Sequence, residues 1–109
     1  MAFDDALADR VRHLVRRRKG FSEKRMFGGV GFLLNGNMCV GIWKDSLVVR
    51  FEKADHDETL ALPNVKPFDI TGRAMKGWAL VEPDGLESGE DLKDWVNSSV
   101  KYAKTLPSK

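Results

Sequence analysis

The stretch that most constrains this chain runs from Lys24 to Trp43 and reads Lys-Arg-Met-Phe-Gly-Gly-Val-Gly-Phe-Leu-Leu-Asn-Gly-Asn-Met-Cys-Val-Gly-Ile-Trp. Two apolar runs flank Asn35-Gly36. That pair is a hairpin-turn signal, because glycine reaches positive φ without steric cost and asparagine tolerates it. The spacing predicts strands over 26–34 and 38–43. Three glycines, Gly28, Gly29 and Gly31, crowd the first strand. Glycine weakens a strand interior, so they point to a bulge, a sharp bend or the close approach of another backbone. A phosphate-binding loop is the competing reading. Such a loop must open a helix, whereas here a strand follows. Leu34 also stands where the dinucleotide pattern places its third glycine, and no Gly-Lys-Ser/Thr occurs.

The rest of the chain supplies partners for this hairpin. Phe3, Leu7, Val11, Leu14 and Val15 form one apolar stripe, which predicts a helix over 3–19. Arg16-Arg17-Arg18-Lys19 then fall in its last turn, where cations complement the helix dipole, and Gly20 stops it. Lys44-Asp45 is the next turn. Leu47, Val49 and Phe51 alternate with Val48, Arg50 and Glu52, which predicts a third strand over 46–52. A short helix is expected over 54–62, with Asp55 placed to cap it and Pro63 to end it. A fourth strand is expected over 67–71 and a fifth over 78–81, joined by the glycine-bounded connection 72–77. Ser88, with Asp91 three residues on, opens a last helix. Its inward face is Leu92, Trp95, Val96, Ser99, Val100 and Ala103.

The expected architecture is therefore α+β, in the order α-β-β-β-α-β-β-α. About five antiparallel strands form one sheet, with the helices packed on one face. The strands of the first half lie too close together for parallel crossovers. The 109 residues suit a single domain over 1–109.

Composition narrows the chemistry. Cys39 is the sole cysteine, which rules out a disulfide within the chain. Its apolar strand setting predicts a buried, inert thiol. The two histidines, His13 and His56, are far apart in sequence, and both are expected on solvated surface. That leaves no recognisable metal-ligand set. No nucleophile stands beside a base and no carboxylate pair converges, so the expectation is a protein that is not an enzyme and has no cofactor. The first charges are Asp4 and Asp5, not the basic start of a leader, and no apolar run approaches the roughly 20 residues that cross a bilayer. A soluble, cytoplasmic protein without membrane contact is expected.

Charge is uneven. Residues 1–25 hold eight basic and four acidic residues, although the whole chain is only +2. Two readings of this imbalance stand. One is a solvated helix end that complements its dipole and needs no ligand. The other is a footprint for an anionic partner, with nucleic acid one candidate. For that reading the candidate residues are Arg16, Arg17, Lys24 and Arg25. Arg73, held in a glycine-flanked loop, is a secondary one.

The run Arg25-Met26-Phe27-Gly28-Gly29-Val30-Gly31-Phe32, followed by Asn35-Gly36-Asn37-Met38 and later by Gly72-Arg73-Ala74-Met75, resembles the N-terminal domain of the TfoX (Sxy) family. The resemblance extends from the first helix to the last, and its specific part is the glycine-rich hairpin. It implies an α+β fold of the order already read, a bacterial cytoplasmic origin, and a regulatory role connected with transcription and natural competence. Full-length regulators of that family carry a second, helical domain C-terminal to this one. The family supplies no catalytic residue set to carry over. The alternative function is a homodimeric protein-interaction module without nucleic-acid contact, joined through a sheet edge or the glycine-rich strand. Trp43 and Trp78 are its candidate interface aromatics, and core positions are the competing reading of both.

Overall fold

A computed structural model of the chain describes residues 4–26, 28–69 and 75–107. Helix α1 spans Asp5–Val15. Asp4 caps it, its carboxylate accepting the Leu7 N–H at 3.1 Å. Leu7, Ala8, Val11 and Val15 form its buried stripe. The helix ends four residues before the expected position. Val15 is the last apolar residue of the stripe, and beyond it the chain turns, with the Arg18 N–H donating to the Val15 carbonyl at 3.0 Å. Arg16 through Lys19 therefore lie in a loop and not in the last helical turn.

Six strands follow: β1 (Phe21–Met26), β2 (Gly29–Leu34), β3 (Asn37–Trp43), β4 (Ser46–Arg50), β5 (Val65–Pro67) and β6 (Trp78–Val81). Helix α2 (His56–Leu60) lies between β4 and β5, and helix α3 (Gly89–Ala103) closes the order. The strands make one antiparallel sheet in the spatial order β1-β2-β3-β4-β6-β5. The α+β class and the order of elements agree with the sequence reading, with one strand added. That strand is β1. Its Ser-Glu-Lys-Arg interior is polar on both faces, so no alternation marks it, which is common for a strand at a sheet edge. Smaller shifts occur elsewhere. The short helix begins as a 3-10 turn over Lys53–Asp55, and Asp55 makes no side-chain cap. The strand expected over 67–71 lies at Val65–Pro67, on the outer edge where proline is tolerated.

The hairpin β2–β3 turns at Asn35 (φ 53) and Gly36 (φ 83), both in the left-handed region that such a tight turn demands. The bulge expected at the glycines is instead at Cys39. Phe32 pairs with Val40 and Leu33 with Met38, which leaves Cys39 as the extra residue. Close approach does explain Gly29: a Cβ there would come within 2.1 Å of the Ile42 carbonyl oxygen.

Register divides the sheet into two faces. Arg25, Val30, Ile42, Leu47, Val81 and Val65 oppose one another across all six strands. So do Glu23, Phe32, Val40, Val49, Ala79 and Pro67. These rows face α1 and α3, and the central residues of both join Leu7, Val11, Leu92, Val96 and Val100 in one buried core. Each such aliphatic side chain contributes about 1.5–3 kcal/mol by leaving water. Ser99 of α3 is buried in the same layer and accepts the Arg50 N–H at 3.1 Å, which fixes the end of β4 to the helix. The opposite face carries the row Lys24, Gly31, Gly41, Val48, Leu80 and Lys66. A smaller cluster packs there: Val48, Leu80 and Phe68, with Met38, Trp43 and Trp78 partly buried against it. Among the described residues, no helix is long and apolar enough to cross a membrane.

Candidate anionic-partner surface

The α1–β1 corner gathers the basic residues, and its geometry follows from how the chain leaves the helix. Arg16 is the C-cap of α1, its N–H donating to the Arg12 carbonyl at 2.9 Å. The loop then closes with the Phe21 N–H on the Arg18 carbonyl at 3.2 Å. The Gly20 carbonyl accepts the Asn35 N–H at 2.9 Å, which sets this loop against the β2–β3 turn. The four consecutive cations separate by role. Arg18 points inward and donates to Asn97 Oδ1 of α3 at 2.9 Å. Arg16, Arg17 and Lys19 are exposed. None of these three, nor the exposed Lys24, has an ion-pair partner among the described residues.

Acidic residues at the corner are already engaged. Arg12 donates from Nε to Glu23 Oε1 at 2.7 Å and from Nη2 to Oε2 at 3.1 Å, and also pairs with Asp9. The hydrogen bonds from Arg12 hold the Glu23 carboxyl below its ordinary range, with the positive charges of Arg12 and Arg25 adding to the effect. The exposed cations of the loop are thus not neutralised by Glu23.

The structure brings Arg16 and Arg17 into one loop but divides the other pair. Lys24 and Arg25 are adjacent on β1, and adjacent strand residues point to opposite faces. Arg25 belongs to the helix-side row and Lys24 to the opposite face. The four candidates therefore line the edge of the sheet on both sides and do not form one flat patch. Arg73 lies outside the described residues.

Cys39 is buried as expected, its Sγ donating to the Phe32 carbonyl at 3.3 Å, and burial pushes its thiol above the ordinary range. His13 is exposed as expected and lines a shallow hollow between α1 and the start of α3 with Asp9, Arg10 and Leu92. His56 corrects the sequence reading. It is buried, not solvated, because it is part of the fold: Nδ1 accepts the Gly77 N–H at 3.2 Å, and the ring stacks on Phe51 at 6.0 Å. Among the described residues, no cluster of three or more His, Cys, Asp or Glu side chains is placed to hold a metal ion.

Two cation–ring pairings at tryptophans of the face away from the helices were not anticipated. Lys44 Nζ lies 4.6 Å from the Trp43 ring centroid. The Arg50 guanidinium lies 5.0 Å from the Trp78 ring and 5.8 Å from that of Tyr102. The only sequence signal for the first was the adjacency of Trp43 and Lys44. The second depends on the β4–β6 register.

The fold defines a small α+β domain with exposed cations at one sheet edge. The comparison with protein families agrees: the TfoX N-terminal domain model matches residues 13–103. The chain belongs to the TfoX N-terminal domain family. No curated protein and no solved structure gives a significant match to it.

Proposed function

We propose that this chain is a non-catalytic binding domain of regulatory kind, which engages an anionic partner through the α1–β1 corner. Arg16, Arg17, Lys24 and Arg25 make the contact, with Lys19 beside them and Arg73 a secondary candidate. The observation that carries this reading is the set of exposed cations Arg16, Arg17, Lys19 and Lys24, which have no acidic partner among the described residues. Family membership supports a regulatory role in transcription or competence, by analogy only. The setting is the bacterial cytoplasm. Phosphate contacts made by such cations release counterions, so binding falls as salt rises.

The test is capture of partners from the native cell, with and without nuclease, using the wild type and an R16E/R17E double variant. Loss of the captured partner in the double variant supports the corner as the contact. Capture that is unchanged by the two reversals overturns it.

A second reading rests on the sheet edge. Among the described residues β1 pairs only with β2, and it is six residues long and contains no proline, so its outer backbone edge suits a further strand. Two copies joined there would form a homodimer. A strict monomer by light scattering at high concentration would remove this reading.

A further inference from the structure

We propose that the face of the sheet opposite the helices binds a single-stranded nucleic acid, with Trp43 and Trp78 as stacking platforms and Lys24, Lys44 and Arg50 as phosphate contacts. This deepens the reading of the α1–β1 corner as a polyanion surface, and rests on it, by naming the class of partner and extending the track across the sheet.

Three observations carry the inference. First, the two faces of the sheet are covered differently. The helix side is closed by α1 and α3, whereas Leu33, Met38, Trp43 and Trp78 on the other side remain partly exposed. Second, each tryptophan on that side has a cation over its ring, Lys44 at 4.6 Å and Arg50 at 5.0 Å. Over Trp43 the cover is the exposed Lys44 side chain, whereas Arg50 over Trp78 also donates from Nη1 to the Met38 carbonyl at 3.2 Å. Alternating aromatic and cationic groups are what a single strand needs, because bases stack on aromatic rings or guanidinium planes while phosphates meet the charges. Third, the charge is arranged to suit a polyanion. Glu82 is paired with Lys66 at 3.2 Å, at the β5–β6 end of the sheet. The β1–β3 half carries Lys24 at its edge.

The spacing suits one continuous strand. Lys24 stands opposite Gly31, and Gly31 opposite Gly41, two residues before Trp43. Strand separation and rise place Lys24 about 12 Å from Trp43 and put Trp43 about 16 Å from Trp78. Arg25 of the corner lies on the same edge strand as Lys24, and Arg16, Arg17 and Lys19 lie in the loop that leads into that strand. A duplex would keep its bases stacked inside and could use only the corner. That difference separates single strands from duplex.

The experiment measures binding of fluorescein-labelled dT and rU oligonucleotides of about 12 nucleotides, and of a duplex of equal length, across a salt series. Tryptophan fluorescence is read in parallel. The variants are Trp43→Ala, Trp43→Leu and R16E/R17E, each checked for folding by circular dichroism. Trp43→Leu keeps the apolar cover and removes the indole, so it guards against a folding defect in the alanine variant. The expected result is preference for single strands, quenching of tryptophan emission, and about tenfold weaker binding in both Trp43 variants. Equal binding of duplex and single strands, with the Trp43 variants unaffected and R16E/R17E impaired, overturns the sheet-face inference and leaves the corner reading standing. Absence of binding to every oligonucleotide at low salt overturns the inference and removes nucleic acid as the partner of the corner.

Discussion

Arg12 of α1 holds Glu23 of β1 by two hydrogen bonds, Nε to Oε1 at 2.7 Å and Nη2 to Oε2 at 3.1 Å, and so fastens the first helix to the edge strand. The two side chains are 35% and 36% exposed, so solvent screens the pair and its contribution is about 0.5 kcal/mol. The hydrogen bonds from Arg12 are the main cause of the lowered Glu23 pKa. A depressed carboxyl stabilises the fold above its unfolded pKa, and that stability is lost as pH falls through the folded value. The contribution is therefore complete above about pH 4.5, the ordinary glutamate value, and disappears below it. Urea midpoints of wild type and Glu23→Gln should differ slightly at pH 7 and converge in acid. A gap that persists at pH 2–3 would mean the carboxylate is not its source.

Gly29→Ala should be among the most damaging single substitutions in the sheet. The added Cβ would stand 2.1 Å from the Ile42 carbonyl oxygen, and that atom belongs to backbone that cannot rotate away. One strand must shift to relieve the contact. The expected cost is about 3 kcal/mol. It should appear as a lower urea midpoint with an unchanged slope. A loss of only a few tenths of a kcal/mol would show that β2 and β3 can separate locally without penalty.

The helix-side architecture was legible because its residues obey simple periods. Leu7, Val11 and Val15 in α1, and Leu92, Val96 and Val100 in α3, repeat every four residues and are all buried. Leu47 and Val49 alternate in β4 and are fully buried. What stayed hidden depends on partners distant in sequence. Nothing within Phe21–Met26 announces a strand, since β1 exists by pairing with β2. His56 looks like surface between Asp55 and Asp57, and only the arrival of Gly77, 21 residues on, gives its ring a donor. The basic run was seen in sequence. Its splitting into an inward Arg18 and an exposed Arg16, Arg17 and Lys19 required the position of Asn97. The face carrying Trp43 and Trp78 was the least legible part, because it emerges from register across six strands.

His56 ties the start of α2 to Gly77, just before β6, and to Phe51, beside the Phe51 N–H bond to the Gly77 carbonyl at 2.9 Å. Its Nδ1 accepts the Gly77 N–H, and its ring stacks on Phe51 just after β4. Replacing it by alanine removes the stack and leaves a buried N–H without an acceptor. About 2 kcal/mol of stability should be lost. His56→Phe separates the two effects, because it keeps an aromatic ring against Phe51 but still deprives Gly77. It should lose about 1 kcal/mol and speed hydrogen exchange at the Gly77 amide. Unchanged exchange at Gly77 in both variants would show that this hydrogen bond does not hold the segment.

Cys39 should be unreactive until the sheet opens. Its side chain is 2% exposed, and Sγ donates to the Phe32 carbonyl at 3.3 Å within the bulge between β2 and β3. Burial, the largest influence, raises the thiol pKa above its ordinary 9.0. Two outcomes follow from this one placement. Labelling with a thiol-specific disulfide reagent at pH 8 should be slow in the native state and should accelerate along the urea unfolding curve. The raised pKa also sets the alkaline behaviour. A group whose folded pKa lies above its unfolded value leaves stability intact below the unfolded pKa, and stability declines as pH rises towards the folded one. Wild-type stability should therefore fall above about pH 9 more steeply than that of Cys39→Ala, which has no thiol to ionise. Rapid native-state labelling, or identical alkaline slopes for the two proteins, would place the thiol outside the core.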